Sequence, residues 1–188
     1  VTSTTEPRKV RADARQNLGA LLTAARTVFA RSGVDAPARE IAAEAGVGVG
    51  TLYRHFPNRA ELVAAVFTSE IDATAAAASE LLAEHPPKEA LDLWITRFTG
   101  FVATKQGLSA ALRSGDSAFD ALPALLIGKL GPALASLLDA AAAAGDIRDD
   151  VDPLELLQAV GDLSHRAPSA DGTPNRMVRL LLDGLRAR

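Results

Sequence analysis

The chain has 188 residues, 48% of them hydrophobic, which is enough to fold around a core and excludes a disordered polypeptide. It has no cysteine, which excludes a disulfide framework and thiolate metal sites and points to a cytoplasmic setting. The net charge of −3 is unevenly spread: residues 1–60 carry nine Lys/Arg against five Asp/Glu (9 − 5 = +4), and the remainder carries 11 against 18 (11 − 18 = −7).

A basic head on an acidic body is the pattern of a phosphate-binding module joined to a domain with another task. Residues 1–12 are polar and read as a flexible arm. Val1 to Arg15 holds no apolar run behind a basic start, so no leader is expected. No uninterrupted apolar stretch approaches the roughly 20 residues that span a bilayer, so no membrane partner is expected.

Leu18, Leu21, Leu22, Ala25 and Phe29 recur at helical spacing and predict a first helix that Gly33 ends. Pro37 suits the entry to a second helix, about residues 38–45. Gly46 interrupts, and a third helix is predicted over 49–56, stopped by Pro57. Asn58 is a good N-cap, with Glu61 three residues on in capping-box position. A fourth helix follows to about Glu84, with Leu62, Val66, Ala73, Ala77 and Leu81 inward.

Pro86 and Pro87 punctuate the chain strongly. Beyond them helices are predicted near 88–105, 107–114, 118–144 (broken at Gly131-Pro132), 153–165 and 174–187, with a polar loop over 166–175. No segment shows sustained strand alternation, so the fold class is all-α. The expected division is a three-helix unit over 13–60 and a larger helical unit over 61–188.

The informative stretch runs from Pro37 to Arg59, spaced as two short helices crossing at a tight turn. Ile41, Ala45, Val47, Leu52 and Phe56 supply an apolar wedge, and Gly46 can take the positive φ of the turn. Val49, Gly50, Thr51, Tyr53, Arg54 and His55 are left outward on the second helix of the pair. A helix fits the major groove with its first residues at base edges and its neighbours on phosphates. Val49 and Thr51 suit a thymine methyl, and Gly50 admits a close backbone approach. Tyr53 and His55 can donate to phosphate, and Arg54 can reach phosphate or guanine. Arg39 and Arg59 flank the same surface.

The run I-A-x-x-A-G-V from Ile41 to Val47, then G-T-L-Y-x-H-F from Gly50 to Phe56, continuing through Pro57-Asn58-Arg59 and Glu61-Leu62, resembles the TetR family of bacterial regulators. The resemblance covers about residues 14–65. It implies an N-terminal helix-turn-helix domain (the helix-turn-helix at about 37–56) and a larger C-terminal domain that binds a ligand and dimerises through the last two helices. It also implies phosphate contacts from Tyr53, His55 and Arg59, and base proximity for Val49, Gly50 and Thr51. Gly48 departs from it, standing where a helix-capping serine is frequent. Arg59 replaces a frequent lysine, and Val49 is apolar where a polar residue is common.

In the larger unit, Trp94, Phe98 and Phe101 lie on one helix face, as ordinary core or as the wall of an apolar pocket. Arg97, Arg113 and His165 are candidate polar anchors for an unidentified small-molecule effector. Leu154, Leu157, Val160 and Gly161, with Met177, Val178, Leu181, Leu182 and Leu185, form broad apolar faces on the last two helices and are candidates for a homodimer seam. Leu180 widens the last of these faces.

No zinc-binding spacing, nucleophile elbow or phosphate loop is present, and Thr51 stands where a dinucleotide-binding turn needs its third glycine. No enzyme activity, cofactor or metal is therefore expected. The expected function is a ligand-released repressor acting as a dimer on a pseudo-palindromic double-stranded DNA operator. The rival is a helical protein-interaction module without specific DNA binding.

Overall fold

The computed structural model describes residues 6–104, 115–166 and 173–187. Among them it is all-α. The helices are α1 (Glu6–Ser32), α2 (Ala38–Glu44), α3 (Val49–His55), α4 (Arg59–Glu84), α5 (Pro87–Thr104), α6 (Leu122–Ala143), α7 (Pro153–Arg166) and α8 (Arg176–Asp183), with a 3₁₀ turn at Ser117–Phe119. The predicted helix over 107–114 lies outside the described residues.

The chain divides into two compact units. One reaches to Ser69 and takes in the stretch ending at Phe119; the other starts at Glu70. The division falls inside α4, later than the boundary expected at 60/61. The reason is packing: Leu62 and Val66 belong to the core of the first unit.

α1 begins at Glu6, so residues 6–12 are helix rather than arm. Pro7 is no obstacle, because a proline in the first turn gives up an N–H that has no helical partner there. The buried face of α1 is Leu21, Ala24, Ala25 and Val28, rotated from the predicted one. Leu18 lies at the exposed margin, and Leu22 and Phe29 flank the core. Ile41 and Ala42 of α2 and Leu52 and Phe56 beside α3 complete the same core. Each fully buried leucine or isoleucine contributes about 1.5–3 kcal/mol relative to an exposed one.

The turn between α2 and α3 has a specific hydrogen-bond pattern. The Gly46 N–H donates to Ala43 O at 3.1 Å, and the Val47 N–H donates to Ala42 O at 3.0 Å. This is a Schellman closure, and it places Gly46 at φ 68°, in the left-handed region. At the start of α4, Asn58 Oδ1 accepts from the Glu61 N–H at 2.9 Å, and Asn58 Nδ2 donates to Glu61 Oε1 at 2.7 Å. The predicted box therefore forms, with the return contact made to the asparagine side chain.

In the second unit, Ile71 and Thr74 of α4 are buried where Ala73, predicted inward, is exposed. Trp94 of α5 is fully buried, and its Nε1 donates to Thr74 O at 2.8 Å. α6 runs unbroken through Pro132. Pro132 cannot donate to the Gly128 carbonyl one turn back, and burial of Leu130, Leu134, Leu137 and Leu138 offsets that loss and holds both halves in line.

Two segments, Arg59–Glu84 and Ser117–Ala143, have the length and mean hydropathy (1.2 and 1.6) of membrane-crossing helices, though neither is an uninterrupted apolar stretch. Repeated alanines raise the mean in α4, and polar groups persist in both segments. Lys129 of α6 pairs with Asp72 of α4.

α8 is shorter than predicted. Asn175 caps it, its Oδ1 accepting from the Met177 and Val178 N–H groups, each at 3.0 Å. The same side chain donates to Leu163 O of α7 at 2.8 Å. The helix ends at Asp183 because the chain then pairs with an earlier segment: Arg148 N–H donates to Leu185 O at 2.9 Å, closing an antiparallel bridge between Ile147 and Arg186.

Two substitutions test this account by urea denaturation. Gly46→Ala places a Cβ at positive φ and is expected to lower stability by about 1–2 kcal/mol. Asn175→Ala, which loses the cap and the tie to α7, is expected to cost about 1–2 kcal/mol. An unchanged midpoint for either variant contradicts the role given to that residue.

Candidate functional site

α3 owes its orientation to the Gly46 turn and to two anchors, Leu52 and Phe56, both buried. With those turned inward, helical geometry sends Val49, Gly50, Tyr53 and Arg54 to the surface. Tyr53 is 52% exposed, unusual for an aromatic without a surface task. Thr51 and His55 are half-buried at the edges of this face, and the His55 ring lies 6.3 Å from that of Phe56. Gly48 precedes the helix in an extended conformation, with no side chain to cap it. Arg39 is exposed in the first turn of α2.

Arg59 differs from its expected role as a free phosphate contact. Its Nη2 donates to Ala36 O, and its guanidinium lies 5.3 Å from the centroid of the Phe29 ring. Burial lowers its pKa from the usual arginine range, against the opposing pull of Asp35 and of Tyr53. Arg59 thus clamps the start of α4 to the corner between α1 and α2. Sequence spacing missed this clamp, because Phe29 and Ala36 stand far from Arg59 along the chain.

In the second unit a cavity of about 550 Å³ opens between α5, α6 and α7. Phe98 and Val102 line it from α5, and Leu126 and Ile127 from α6. α7 contributes Leu154, Leu157, Gln158, Gly161, Asp162 and His165. Of the predicted ligand set, Phe98 and His165 reach this cavity. Trp94 and Phe101 do not; both are buried core, with Trp94 stacked on Phe98 at 5.7 Å. Arg97 is exposed and faces elsewhere, and Arg113 lies outside the described residues. Val102, Leu126, Ile127, Gln158 and Asp162 were missed. The α7 members had a readable signal, since 158, 161, 162 and 165 share one helical face.

The predicted dimer residues separate into two groups. Leu157, Val160, Val178, Leu182 and Leu185 are buried within the chain itself, so their side chains present no free surface to a partner. This corrects their assignment: the apolar stripe they form is the protomer's own core. Gly161 and Leu181 are half-buried. Leu154 (47%), Met177 (52%) and the neighbouring Leu180 (51%) remain exposed. Leu154 also meets α6 closely, because a Cβ added at Gly131 would lie 2.8 Å from its Cδ2.

The comparisons agree with this architecture. Residues 21–66 match the family described as bacterial regulatory proteins, tetR family, and residues 86–187 match the SbtR-like transcriptional regulator C-terminal domain. The fold is similar to that of the TetR transcriptional regulator SCO0520 from Streptomyces coelicolor, at 39% identity and a TM-score of 0.77, covering 90% of this chain and 98% of that one. It is also similar to a TetR regulatory protein from Mycobacterium vanbaalenii, at 36% identity and a TM-score of 0.71, covering 95% and 99%. A shorter match, 32% identical over 97 residues, joins it to the HTH-type transcriptional regulator SAR0097 of Staphylococcus aureus; it spans 48% of this chain and 50% of that relative. Both units of the chain are thus accounted for by one architecture, and the chain belongs to the TetR family of bacterial transcriptional regulators.

Proposed function

We propose that the protein is a ligand-released repressor that binds a pseudo-palindromic operator as a homodimer in the cytoplasm. The observation that carries this reading is the exposed face of α3, where small and apolar groups sit beside hydrogen-bond donors. Val49, Gly50 and Thr51 are assigned to base edges, the first and third by methyl contact and the second by close backbone approach. Tyr53, Arg54, His55 and Arg39 are assigned to phosphates. Arg59 is assigned a positioning role, since its guanidinium already holds Ala36 O and the Phe29 face.

Self-association is assigned to the exposed apolar residues Leu154, Met177 and Leu180 on the last two helices. A dimer sets the spacing of two recognition helices along the groove, so each subunit reads one half-site. The effector is assigned to the cavity beside α7. It releases DNA to the extent that it binds better to a conformation with the wrong spacing. α4 is the element assigned to relay its occupancy, because it contributes core residues to both units.

Point variants test the residue roles in equilibrium binding to a selected operator. Tyr53→Ala is expected to weaken binding by about 1 kcal/mol on all operator variants alike. Thr51→Ala is expected to change the ranking of base variants by about 1–3 kcal/mol. Arg54→Ala is expected to lower the slope of log affinity against log salt by about one. Unchanged affinity for the tyrosine variant, or an even loss across all sequences for the threonine variant, contradicts the respective assignment.

A further inference from the structure

The polar groups of the cavity are one-sided. Phe98, Val102, Leu126 and Leu157 make its walls apolar, whereas Gln158, Asp162 and His165 all come from a single face of α7. A bound molecule therefore has one end among hydrocarbon side chains and the other against that face. Among the described residues, no lysine or arginine lines the cavity. The Asp162 side chain makes no ion pair or hydrogen bond with any other described residue, and the same holds for the side chains of Gln158 and His165.

We propose that this cavity takes a small apolar cation, an alkyl or arylalkyl amine, with Asp162 as its counter-charge and Gln158 and His165 as its hydrogen-bond partners. The proposal rests on the reading of the cavity as the effector site. An anion entering the same space meets the Asp162 carboxylate, and among the described lining residues it finds no lysine or arginine to offset its lost hydration. An ammonium group exchanges water for the Asp162 carboxylate, while its chain displaces water from the phenylalanine and leucine walls. Apolar walls with a few polar groups on one side are the usual chemistry of a small-molecule site. Gly161 enlarges the space: a Cβ added there meets no atom within 4 Å, although neighbouring lining residues lie one turn away on either side.

The chain carries its own reporter. Its single tryptophan, Trp94, stacks on Phe98, and Phe98 forms part of the cavity wall. The experiment is a fluorescence titration of the full chain with decylamine, decanoate and decanol, at neutral pH and below micelle-forming concentrations. A saturable change is expected for decylamine, with affinity about tenfold or more above that of decanoate, and decanol between them. Asp162→Asn, nearly isosteric and on the exposed side of α7, is expected to bring decylamine to the level of decanol. Gly161→Phe is expected to abolish the response to all three probes while thermal unfolding stays cooperative. Asp162→Asn decides the question even if the bulkier variant fails to fold.

Decanoate binding as tightly as decylamine overturns the proposal. So does a preference for the amine that survives Asp162→Asn, or the lack of a saturable response to any probe. Operator binding by the ligand-free protein is measured alongside. If it persists while amine binding fails, only the cavity assignment falls. If amine binding is present and no operator is bound, the regulator reading falls and the cavity assignment stands.

Discussion

The exposed face of α3 depends on a two-residue constraint at the corner between α2 and α3. Gly46 adopts a left-handed conformation, and the Schellman bonds from Gly46 and Val47 back to Ala43 and Ala42 fix the direction in which the chain leaves the corner. That direction lets Leu52 and Phe56 insert into a core already built by Leu21, Ala25, Val28 and Ile41. Once both anchors are inside, the helical period leaves no freedom in what faces outward. Val49, Gly50, Tyr53 and Arg54 are exposed because Leu52 and Phe56 are not. The clamp of Arg59 on Ala36 O and Phe29 holds the next helix against the same corner, so α3 is braced on both sides.

The second unit shows how one helix can serve several surfaces. Leu156, Leu157 and Val160 of α7 point into the core, Gln158, Gly161, Asp162 and His165 border the cavity, and Leu154 remains exposed while touching the cavity rim. Asn175 links this helix to α8 by capping one and bonding to a carbonyl of the other. A ligand that moves α7 therefore acts on a helix whose position also sets the exposed apolar residues of α8. This supplies a physical route from the cavity to the exposed apolar residues proposed for self-association, without a separate switch element.

Much of the fold was legible because its signals are local. Gly33, Gly46, Pro57 and the Asn58–Glu61 pair each act within a few residues, and each marks a boundary that the structure keeps. The face of α3 was legible for a related reason, since motif and helical period point the same way. What escaped depends on partners distant in sequence. Arg59 looked like a free charge, because nothing near it along the chain announces Ala36 or Phe29 as its partners. Gly131-Pro132 looked like a break, because proline's local cost is visible and the burial of Leu130 and Leu134 that outweighs it is not. On α8 the apolar residues were counted correctly but not sorted by direction. Val178 and Leu182 serve the chain's own core, and Met177 and Leu180 are the ones left outside. The short end of α8 escaped for the same reason, since a bridge to Ile147 rather than a stop residue sets its limit.

The central claim is that the exposed face of α3 makes this protein a sequence-specific DNA binder. The most direct measurement is binding of the full chain to DNA fragments from around its own gene, with excess nonspecific competitor and at two salt concentrations. The account predicts saturable binding that resists competitor and weakens as salt rises, because phosphate contacts release counterions. If no fragment outcompetes nonspecific DNA even at low salt, the claim is contradicted, and the protein is a helical interaction module whose recognition helix no longer reads DNA.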